Sequence, residues 1–239
     1  MFAANYIRIR CWCIFVMTVL TLQANAQELV TNGGFEEPVL ATPWIQRARA
    51  STFGGWTVDD VGQGVAQVGS FGNPHAIQGT QCVELNFYNA CGISQSITTQ
   101  PAARYLISFM MAGQTNMGPD VKTMRVEWEG GVVAVVGWSI SGSGGQWQPH
   151  SYIVTATGAS STVHFFGEVN VDGGPYLDAV SVMRACSADF NNDQVVDFFD
   201  YLDFVSAMSS QDPAADFNND SIIDFFDYLD FVQAFSEGC

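Results

Sequence analysis

The feature that most constrains this chain is an acidic segment that occurs twice near its C-terminal end. The segment ADFNNDQVVDFFDYLDFV at residues 188–205 returns as ADFNNDSIIDFFDYLDFV at residues 215–232, with 15 of 18 positions identical. Each copy crowds carboxylates together, and neighbouring like charges repel by on the order of 1 kcal/mol per pair even in water. Any fold of this region must therefore separate or neutralise the same negative charges twice.

Oxygen-bearing residues in each copy have the spacing of a twelve-residue calcium loop. Such a loop supplies side-chain oxygens at positions 1, 3, 5, 9 and 12 and a backbone carbonyl at position 7. Calcium accepts six to eight oxygens in irregular geometry, whereas magnesium requires an octahedron. The predicted calcium ligands are Asp189, Asn191, Asp193, Val195, Asp197 and Asp200 in the first copy, and Asp216, Asn218, Asp220, Ile222, Asp224 and Asp227 in the second.

Both loops depart from the usual pattern at position 6, where glycine allows the chain to turn with a positive φ. Gln194 and Ser221 stand there, and left-handed φ costs a non-glycine residue about 1 kcal/mol or more. We therefore expect weak calcium binding, at roughly 10⁻⁴–10⁻³ M. Apolar residues follow each loop at helical spacing, and neither copy has room for an entering helix, so the unit is loop–helix.

Two tandem loop–helix units, carried by DFNNDQVVDFFD and DFNNDSIIDFFD, resemble a type I dockerin over residues 186–239. The resemblance implies two calcium ions and a cohesin partner that attaches the chain to an extracellular or cell-surface assembly. It also implies partner contacts at loop positions 10 and 11, which are Phe198, Phe199, Phe225 and Phe226. The alternative role for these rings is packing in the small core of the repeat region.

Charge and hydropathy divide the chain into three parts. Residues 1–26 have the form of a secretory signal peptide: two arginines, an apolar run and Ala24-Asn25-Ala26. No later apolar run is long enough for a membrane span, so we expect a secreted or cell-surface protein, exported by a bacterium. Residues 186–239 contain 12 acidic residues and no basic one, which marks a boundary after residue 185. A net charge of −16 argues against a nucleic-acid partner.

Four cysteines remain beyond residue 26, and an even number in an exported chain predicts two disulfides. Three connectivities are possible. We favour Cys82–Cys91 within the first domain and Cys186–Cys239, which brackets the repeats.

Residues 27–185 contain short alternating apolar runs separated by Gly, Pro or Asn, such as CVELNF, RYLISFMM and TMRVEW. This pattern predicts nine to eleven strands in an antiparallel β-sandwich. The chain is therefore mainly β, with a jelly-roll sandwich at 27–185 and a small α-helical domain at 186–239.

The opening ELVTNGGFEEP and the closing GPYLDAVSVM, with GGWTV and GISQSI between them, are similar to galactose-binding-like jelly rolls among carbohydrate-binding modules. The similarity is strongest to the group called DUF642 or choice-of-anchor C. It implies a polysaccharide ligand and a structural calcium held by Glu36 and Asp178. The alternative for these two carboxylates is ordinary turn and strand-end polarity.

Sugar rings stack on aromatic faces, so exposed aromatics are candidate ligand contacts, while core packing is the alternative for each. The proposed ligand-binding residues are Glu84, Asn86, Tyr88, Trp128 and Trp138, with Trp44, Trp147 and Tyr176 as further aromatic candidates.

Glu127 and Glu129 lie two apart on one strand face and could imitate a glycosidase pair. Such pairs usually lie across a cleft, however, and the chain has no HExxH, GxSxG or glycine-rich phosphate loop. We therefore interpret the protein as non-catalytic: the sandwich binds carbohydrate and the tail docks it to a partner. Two alternatives remain, a structural or adhesive surface protein without sugar binding, and a glycan-active hydrolase with a docking tail.

Overall fold

The computed structural model describes residues 27–69, 75–143, 146–191, 193, 195–218 and 220–237. The predicted signal peptide and Gln194 lie outside these ranges. Within them, twelve strands form two six-stranded sheets in which every paired neighbour is antiparallel. The predicted mainly β sandwich is confirmed.

The two sheets exchange strands along the chain, so neither is built from one continuous segment. Sheet A has the order β1 (Trp44–Arg47), β4 (Val65–Val68), β5 (Cys82–Glu84), β12 (Pro175–Arg184), β7 (Arg104–Gly113), β10 (Gln148–Thr155). Sheet B has the order β2 (Thr52–Phe53), β3 (Trp56–Val58), β6 (Cys91–Thr98), β11 (Ser160–Gly167), β8 (Val121–Trp128), β9 (Gly131–Ser139).

The core of the sandwich follows from strand alternation, since residues two apart point to the same face of a sheet. In β7, every second residue from Tyr105 to Met111 is buried. Phe165 of β11 contacts the Trp56 ring at 6.2 Å and the Phe109 ring at 5.2 Å between centroids. Trp56 is fully buried.

The tail consists of two helices, α2 (Phe198–Ser210) and α3 (Phe225–Glu237), with a short 3-10 turn at Pro213–Ala215 between them. A four-residue helix, α1 (Ile140–Ser143), lies in the sandwich after β9. The tail packs around Phe204 and Phe231, whose rings stack at 4.1 Å with an interplanar angle of 3°. The predicted loop–helix order is confirmed. No helix in the described ranges combines the length and apolar character needed to cross a bilayer.

The predicted Cys82–Cys91 disulfide is wrong. Both thiols are free and buried, and they lie in different sheets, because Cys82 begins β5 and Cys91 begins β6. Burial raises the pKa of both thiols, well above the usual value for Cys82. Cys186 is disulfide-bonded, and its predicted partner Cys239 lies outside the described residues.

Candidate functional site

Each acidic loop of the tail is closed by bonds from backbone N–H groups to its own carboxylates. In the second loop, Asp216 accepts the N–H of Asp220 at 3.0 Å and of Ser221 at 2.9 Å. Asp220 in turn accepts the N–H of Ile222 at 2.8 Å. The first loop makes the corresponding bonds from position 5 to position 1, from 5 to 3 and from 7 to 5. The described bonds from positions 5 and 7 are therefore the same in both loops.

The aspartate at position 12 ties each loop to the helix that follows it. Asp227 is fully buried and accepts the N–H groups of Phe217 at 2.8 Å, Asn218 at 3.2 Å and Asp224 at 2.8 Å. Asp200 is also fully buried and bonds the equivalent N–H groups at positions 3 and 9. In the first loop, Asp197 completes a capping box with Asp200 at the start of α2.

The loop residues fit a hard cation in the type and order of their donors. Ser221 has φ 71°, which is the left-handed turn expected at position 6. Every side chain at a predicted ligand position offers oxygen, and carboxylates that accept backbone N–H bonds keep further acceptor capacity. Across the described residues, however, no three His, Cys, Asp or Glu side chains are placed closely enough to hold a metal ion.

The phenylalanine pair after each loop is exposed. Phe198, Phe199, Phe225 and Phe226 are 63%, 64%, 63% and 65% exposed, respectively. Core packing is therefore excluded for all four rings in this structure. The buried core uses Phe204 and Phe231 instead, six residues further along each helix.

Each loop also contributes a ring at position 2, and both rings pack edge-on across the two repeats. Phe190 contacts the rings of Phe204 at 5.5 Å and Phe231 at 6.2 Å, while Phe217 contacts the same pair at 6.0 and 5.6 Å. The sequence analysis did not single out Phe190, Phe217 or Phe231. The period of 27 was the signal that could have found them, since symmetric repeats place equivalent residues at their shared core.

In the sandwich, Glu36 and Asp178 both accept hydrogen bonds from the segment 77–81. Glu36 accepts the N–H groups of Thr80 at 2.8 Å and Gln81 at 2.7 Å, and the Thr80 hydroxyl at 3.0 Å. Asp178 accepts the N–H groups of Ile77 at 2.8 Å and Gln78 at 3.0 Å. The resemblance had selected these two carboxylates, and the structure brings both to the segment 77–81.

Asp178 is fully buried. Burial, with a further contribution from the negative charge of Glu36, raises the pKa of Asp178 to about 6 despite its three backbone hydrogen bonds. Buried charges in proteins are normally paired or bound to metal, and the ion pairs among the described residues include neither carboxylate. The two carboxylates thus offer oxygen donors and lack a positively charged partner among the described residues, which suits a cation.

Three aromatic residues form an exposed aromatic ridge, which we define as Trp44, Phe87 and Tyr88. The ring of Phe87 lies 5.3 Å from Trp44 and 4.5 Å from Tyr88. Trp44 is 42% and Tyr88 49% exposed. Tyr88 has φ 65° and Asn86 φ 61°, and such strained backbone at non-glycine residues is concentrated at functional sites.

Glu84 and Asn86 shortly precede the ridge residues Phe87 and Tyr88 in the sequence, and both are buried. Asn86 is fully buried and donates to the carbonyl oxygen of Val171 at 2.9 Å. A Cβ on Gly174 would lie 1.8 Å from Asn86 Oδ1, so this close approach requires glycine. Glu84 accepts the N–H of Gly174 at 2.9 Å. These side chains hold the segment 171–174 in place, and they do not face solvent as ligand contacts.

Burial of Glu84 raises its pKa to about 7, and the negative charge of Asp172 adds to this, while the N–H of Gly174 and the charge of Lys122 oppose it. Lys122 is itself fully buried. Its ammonium donates to the carbonyl oxygens of Met117 and Pro119, both at 2.5 Å. The sandwich therefore buries a lysine close to a carboxyl group whose pKa lies near neutral pH.

The prediction that Trp128 and Trp138 contact a ligand is wrong. Trp128 is 6% exposed and donates to the Thr155 carbonyl at 3.1 Å, and Trp138 is fully buried and donates to the Gln146 carbonyl at 2.9 Å. Tyr176 is also buried. None of these rings presents a face to solvent, so stacking on a sugar is not available to them.

Glu127 and Glu129 are both engaged by neighbouring side chains. Glu127 is bonded to Arg125 at 2.6 Å and to His164 at 2.6 Å. Burial alone would raise the pKa of Glu127, but these hydrogen bonds outweigh it and lower the pKa. Hydrogen bonds from Ser161 and Thr157 lower the pKa of Glu129. Neither carboxyl has the raised pKa of a glycosidase general acid.

Residues 28–183 match the family described as "Protein of unknown function (DUF642)". The chain belongs to this family. The match runs from Glu28 to Met183, one residue before the end of β12, and stops before the repeats, so family membership concerns the sandwich alone. A search of curated proteins found no match.

Solved structures similar to this DUF642 chain include a cyclase from Fischerella sp. TAU, at 16% identity and TM-score 0.49, covering 67% of this chain and 98% of the cyclase. A family 35 carbohydrate binding module from Clostridium thermocellum has 16% identity and TM-score 0.37, covering 60% of this chain and 100% of the module. The CBM22-1 xylan-binding domain from Paenibacillus barcinonensis has 16% identity and TM-score 0.40, with 66% and 95% covered. Similarity at this level is too low to transfer a function.

Proposed function

We propose that this DUF642 protein is an exported, non-catalytic binding protein whose tail is a calcium-dependent docking module. The observation that carries the proposal is the duplicated arrangement of the tail. Two equivalent acidic loops each lead into a helix that starts with two exposed phenylalanines. An apolar surface repeated beside two sets of oxygen donors is what a dockerin-like module presents to a partner.

In the tail, the twelve predicted ligand residues would hold two calcium ions, one per loop. Bound calcium supplies positive charge that offsets the crowded carboxylates. The chain contributes the shape: N–H bonds to Asp216 and Asp220 turn the second loop, and Ser221 takes the left-handed backbone there. Asp200 and Asp227 join the loops to the helices, so order in the loops and order in the exposed phenylalanine pairs are linked.

In the sandwich, Glu36 and Asp178 would hold a third, structural calcium. Their hydrogen bonds already fix the segment 77–81. A cation beside them would offset the two negative charges that the fold brings together there.

The exposed phenylalanine pairs are the proposed contacts with a cohesin-like partner. Aromatic side chains that are buried on association dominate binding energy at many interfaces. Exposed apolar patches of this kind mark interaction sites on soluble proteins. The partner would attach the protein to an extracellular or cell-surface assembly.

The aromatic ridge is the proposed contact with a polysaccharide. Trp44 and Tyr88 offer exposed rings on which the apolar faces of sugars can stack. Asn86 and Tyr88 have positive φ, and Asn86 donates to the Val171 carbonyl; we expect this to restrict the ridge before a ligand binds, which favours affinity.

The calcium proposal is tested on the chain from Gln27 onward by calorimetric titration and by circular dichroism with and without chelator. We expect heat from calcium binding, and loss of helical signal in chelator. The double variant Asp189→Ala, Asp216→Ala should bind fewer ions. The control Asp203→Ala, Asp230→Ala removes the same charge from exposed positions on the helices and should bind as the unmodified chain does. No calcium heat and a helical signal indifferent to chelator would refute the proposal.

The docking proposal is tested with an immobilised type I cohesin domain in calcium. Phe198→Ala with Phe199→Ala, combined with the equivalent pair in the second repeat, should abolish retention while leaving calcium binding intact. Equal retention of the variant and the unmodified chain would show that these rings are not the contact.

The polysaccharide proposal is tested by affinity electrophoresis in gels that contain xylan, galactan or a soluble cellulose derivative. Tyr88→Ala and Trp44→Ala should restore mobility in a gel that retards the unmodified chain. Phe199→Ala, which removes an exposed ring from the tail, is the matched control and should remain retarded. Absence of retardation in every gel would favour the structural or adhesive alternative.

A further inference from the structure

A cavity of about 390 Å³ lies at one end of sheet A, and none of its described lining residues belongs to the aromatic ridge or to the acidic loops. Its described walls come from three segments: residues 39–42 before β1, Gly69 after β4, and residues 75–81 before β5. These segments meet because β1 pairs with β4 and β4 pairs with β5. Pockets that bind small molecules enclose about 300–1,000 Å³, so the cavity has the size of a ligand site.

Hydrogen bonds join the walls of this cavity to one another. Gln81 is 3% exposed; its Oε1 accepts the N–H of Leu40 at 2.6 Å, and its Nε2 donates to the carbonyl oxygen of Phe35 at 2.7 Å. The N–H of Gly69 donates to the carbonyl oxygen of Pro43 at 2.8 Å. A ligand would therefore meet walls that are already ordered, which lowers the entropy cost of binding.

The wall at residues 75–81 is held in addition by side chains that do not line the cavity. Glu36 and Asp178 accept four of its backbone N–H groups between them. The indole N–H of Trp147 donates to the carbonyl oxygen of His75 at 2.8 Å. Both ends of this wall are thus tied to the sandwich.

The described lining combines apolar side chains with hydroxyl and imidazole groups, and it contains no lysine, arginine, aspartate or glutamate. The apolar side chains are those of Val39, Leu40 and Ala76, and the polar ones beside Gln81 are those of Thr42, His75 and Thr80. A lining of this composition suits a ligand that is uncharged, has an apolar face and carries hydroxyl groups.

The polar groups of the lining keep capacity for a ligand. The hydroxyl of Thr42 donates to the carbonyl oxygen of Trp44 at 2.9 Å, and the hydroxyl of Thr80 donates to Glu36 at 3.0 Å. A hydroxyl that donates still has lone pairs, so both oxygens can accept a hydrogen bond from a ligand hydroxyl. His75 is exposed, and an imidazole ring can both donate and accept. Sugar hydroxyls match these groups, since each can donate and accept as well.

Charge restricts the ligand to a neutral one. Because the described lining has no lysine or arginine, a ligand carboxylate there would lack a partner, and the chain carries a net charge of −16. The cavity also adjoins the aromatic ridge along the chain, since Thr42 lies two residues before Trp44. We propose that the cavity binds one neutral sugar residue of the polysaccharide that contacts the ridge, an inference that rests on the proposed function of the ridge.

Saturation-transfer nuclear magnetic resonance of the chain from Gln27 onward tests the cavity with D-galactose, D-glucose and D-xylose. We expect transfer to at least one of these neutral sugars, and none to D-glucuronic or D-galacturonic acid. The double variant Thr42→Val, His75→Ala should reduce the transfer to background, because it removes two exposed polar groups of the lining. The control Thr52→Val changes an exposed threonine of sheet B outside the lining and should behave as the unmodified chain does. No transfer to any neutral sugar, equal transfer in the double variant, or equal transfer to the two acids would overturn the proposal.

Backbone amide chemical shifts locate the sugar without any substitution. The signals of Gly69 and Gly79, which line the cavity, should move when the unmodified chain is titrated with the sugar that receives the strongest transfer. The signal of Gly130, in the turn between β8 and β9, should stay in place. Movement of the Tyr88 signal with none at Gly69 or Gly79 would place the sugar on the ridge and contradict the proposal.

Tyr88→Ala separates this proposal from the one on which it rests. It should restore mobility in a polysaccharide gel and leave saturation transfer to the monosaccharide unchanged, because Tyr88 does not line the cavity. If no gel retards the unmodified chain while transfer persists and depends on Thr42 and His75, the ridge proposal fails and the cavity remains a sugar site. If Tyr88→Ala abolishes the transfer, the monosaccharide binds the ridge and the cavity proposal fails.

Discussion

The sandwich and the tail are held together by different means. More than thirty buried side chains form one continuous core between the sheets, whereas Phe204, Ala215 and Phe231 are the fully buried members of the core cluster that the structure describes in the tail. In the sandwich, strand ladders satisfy most backbone groups. In the tail loops, aspartate side chains accept the N–H groups that no helix or strand satisfies.

This difference predicts how each part responds to change. A large apolar core resists the loss of any one contact, because many others remain. A small core surrounded by carboxylates has little apolar burial to oppose both chain entropy and charge repulsion. The tail should therefore depend on single rings and on ions, while the sandwich should respond mainly to changes at its few buried charges.

The largest effect is expected from Phe204→Ala. Removing a fully buried phenylalanine costs about 3–5 kcal/mol in proteins, and in the tail it removes one of two stacked rings. We expect loss of the helical signal at room temperature, with the unfolding transition of the sandwich unchanged. Circular dichroism in the helical region, with near-ultraviolet melting of the sandwich tryptophans, measures the two parts separately.

Phe198→Ala is the matched control, since it removes the same side chain from a position in the same helix that is 63% exposed. Exposed substitutions usually change stability by no more than about 0.5 kcal/mol. If both variants lost the same stability, the contribution of a ring would not depend on its burial. The small core around Phe204 would then not be what stabilises the tail.

What the sequence predicts about the tail and the sandwich comes from two periodic patterns, the 27-residue repeat and the two-residue alternation of the strands. The nearly identical repeat predicted the loops and the helices that follow them, because ligand spacing and the order of loop and helix are local properties. In the sandwich, alternation also contained the information that Trp128 shares a face with buried Met124 and Val126. Trp128 and Trp138 were predicted to contact a ligand because they are aromatic, without regard to the face of the strand on which they lie. That prediction was wrong.

Other features could not be obtained from local pattern. Cys82 and Cys91 are nine residues apart in sequence, yet the chain crosses from one sheet to the other between them. The aromatic ridge combines Trp44 at the start of β1 with Tyr88 after β5, and the neighbouring Asn86 lies against a third segment at Gly174. Such contacts arise from tertiary packing, which no single segment records.

An intermediate effect is expected from Glu84→Gln, which tests the sandwich at its buried carboxylate. The pKa of Glu84 is about 7 in the folded chain, against 4.5 for an unperturbed glutamate. Between these values the folded state keeps a proton that the unfolded state has released, so stability falls as pH rises from 4.5 to 7. The glutamine variant lacks this loss and should be more stable than the unmodified chain above pH 7, by up to roughly 3 kcal/mol.

Denaturant unfolding of both proteins at pH 4 and pH 8 measures this difference. The two curves should converge at pH 4, where Glu84 is protonated in both states. The tail provides an internal comparison, because its helical transition should not respond to the substitution. A glutamine variant that is less stable at pH 8 would mean that ionised Glu84 stabilises the fold, through Lys122 for example, and would reverse the sign of the argument.

The smallest effect is expected at the outer face of sheet B, where His164 bridges two carboxylates. Its Nδ1 lies 2.6 Å from Glu127 and its Nε2 2.9 Å from Asp59. Burial alone would lower the pKa of His164, but the hydrogen bonds and negative charges of Asp59 and Glu127 outweigh it and raise the pKa above 6.5. The bridge therefore contributes stability that is complete below pH 6.5 and is lost as pH rises through the raised pKa.

His164→Gln should accordingly destabilise the sandwich by about 1 kcal/mol in mild acid and by less at alkaline pH, the size expected of a partly screened ion pair. The ring-nitrogen chemical shifts of His164 follow its protonation directly, and Asp59→Asn should lower the titration midpoint. At both residues stability falls as pH rises, but for different reasons. Ionised Glu84 destabilises the folded state, whereas charged His164 stabilises it. If Asp59→Asn left the midpoint unchanged, the contact with Asp59 would not raise the pKa of His164. The ion pair between these two residues would then contribute nothing to the stability of the sandwich.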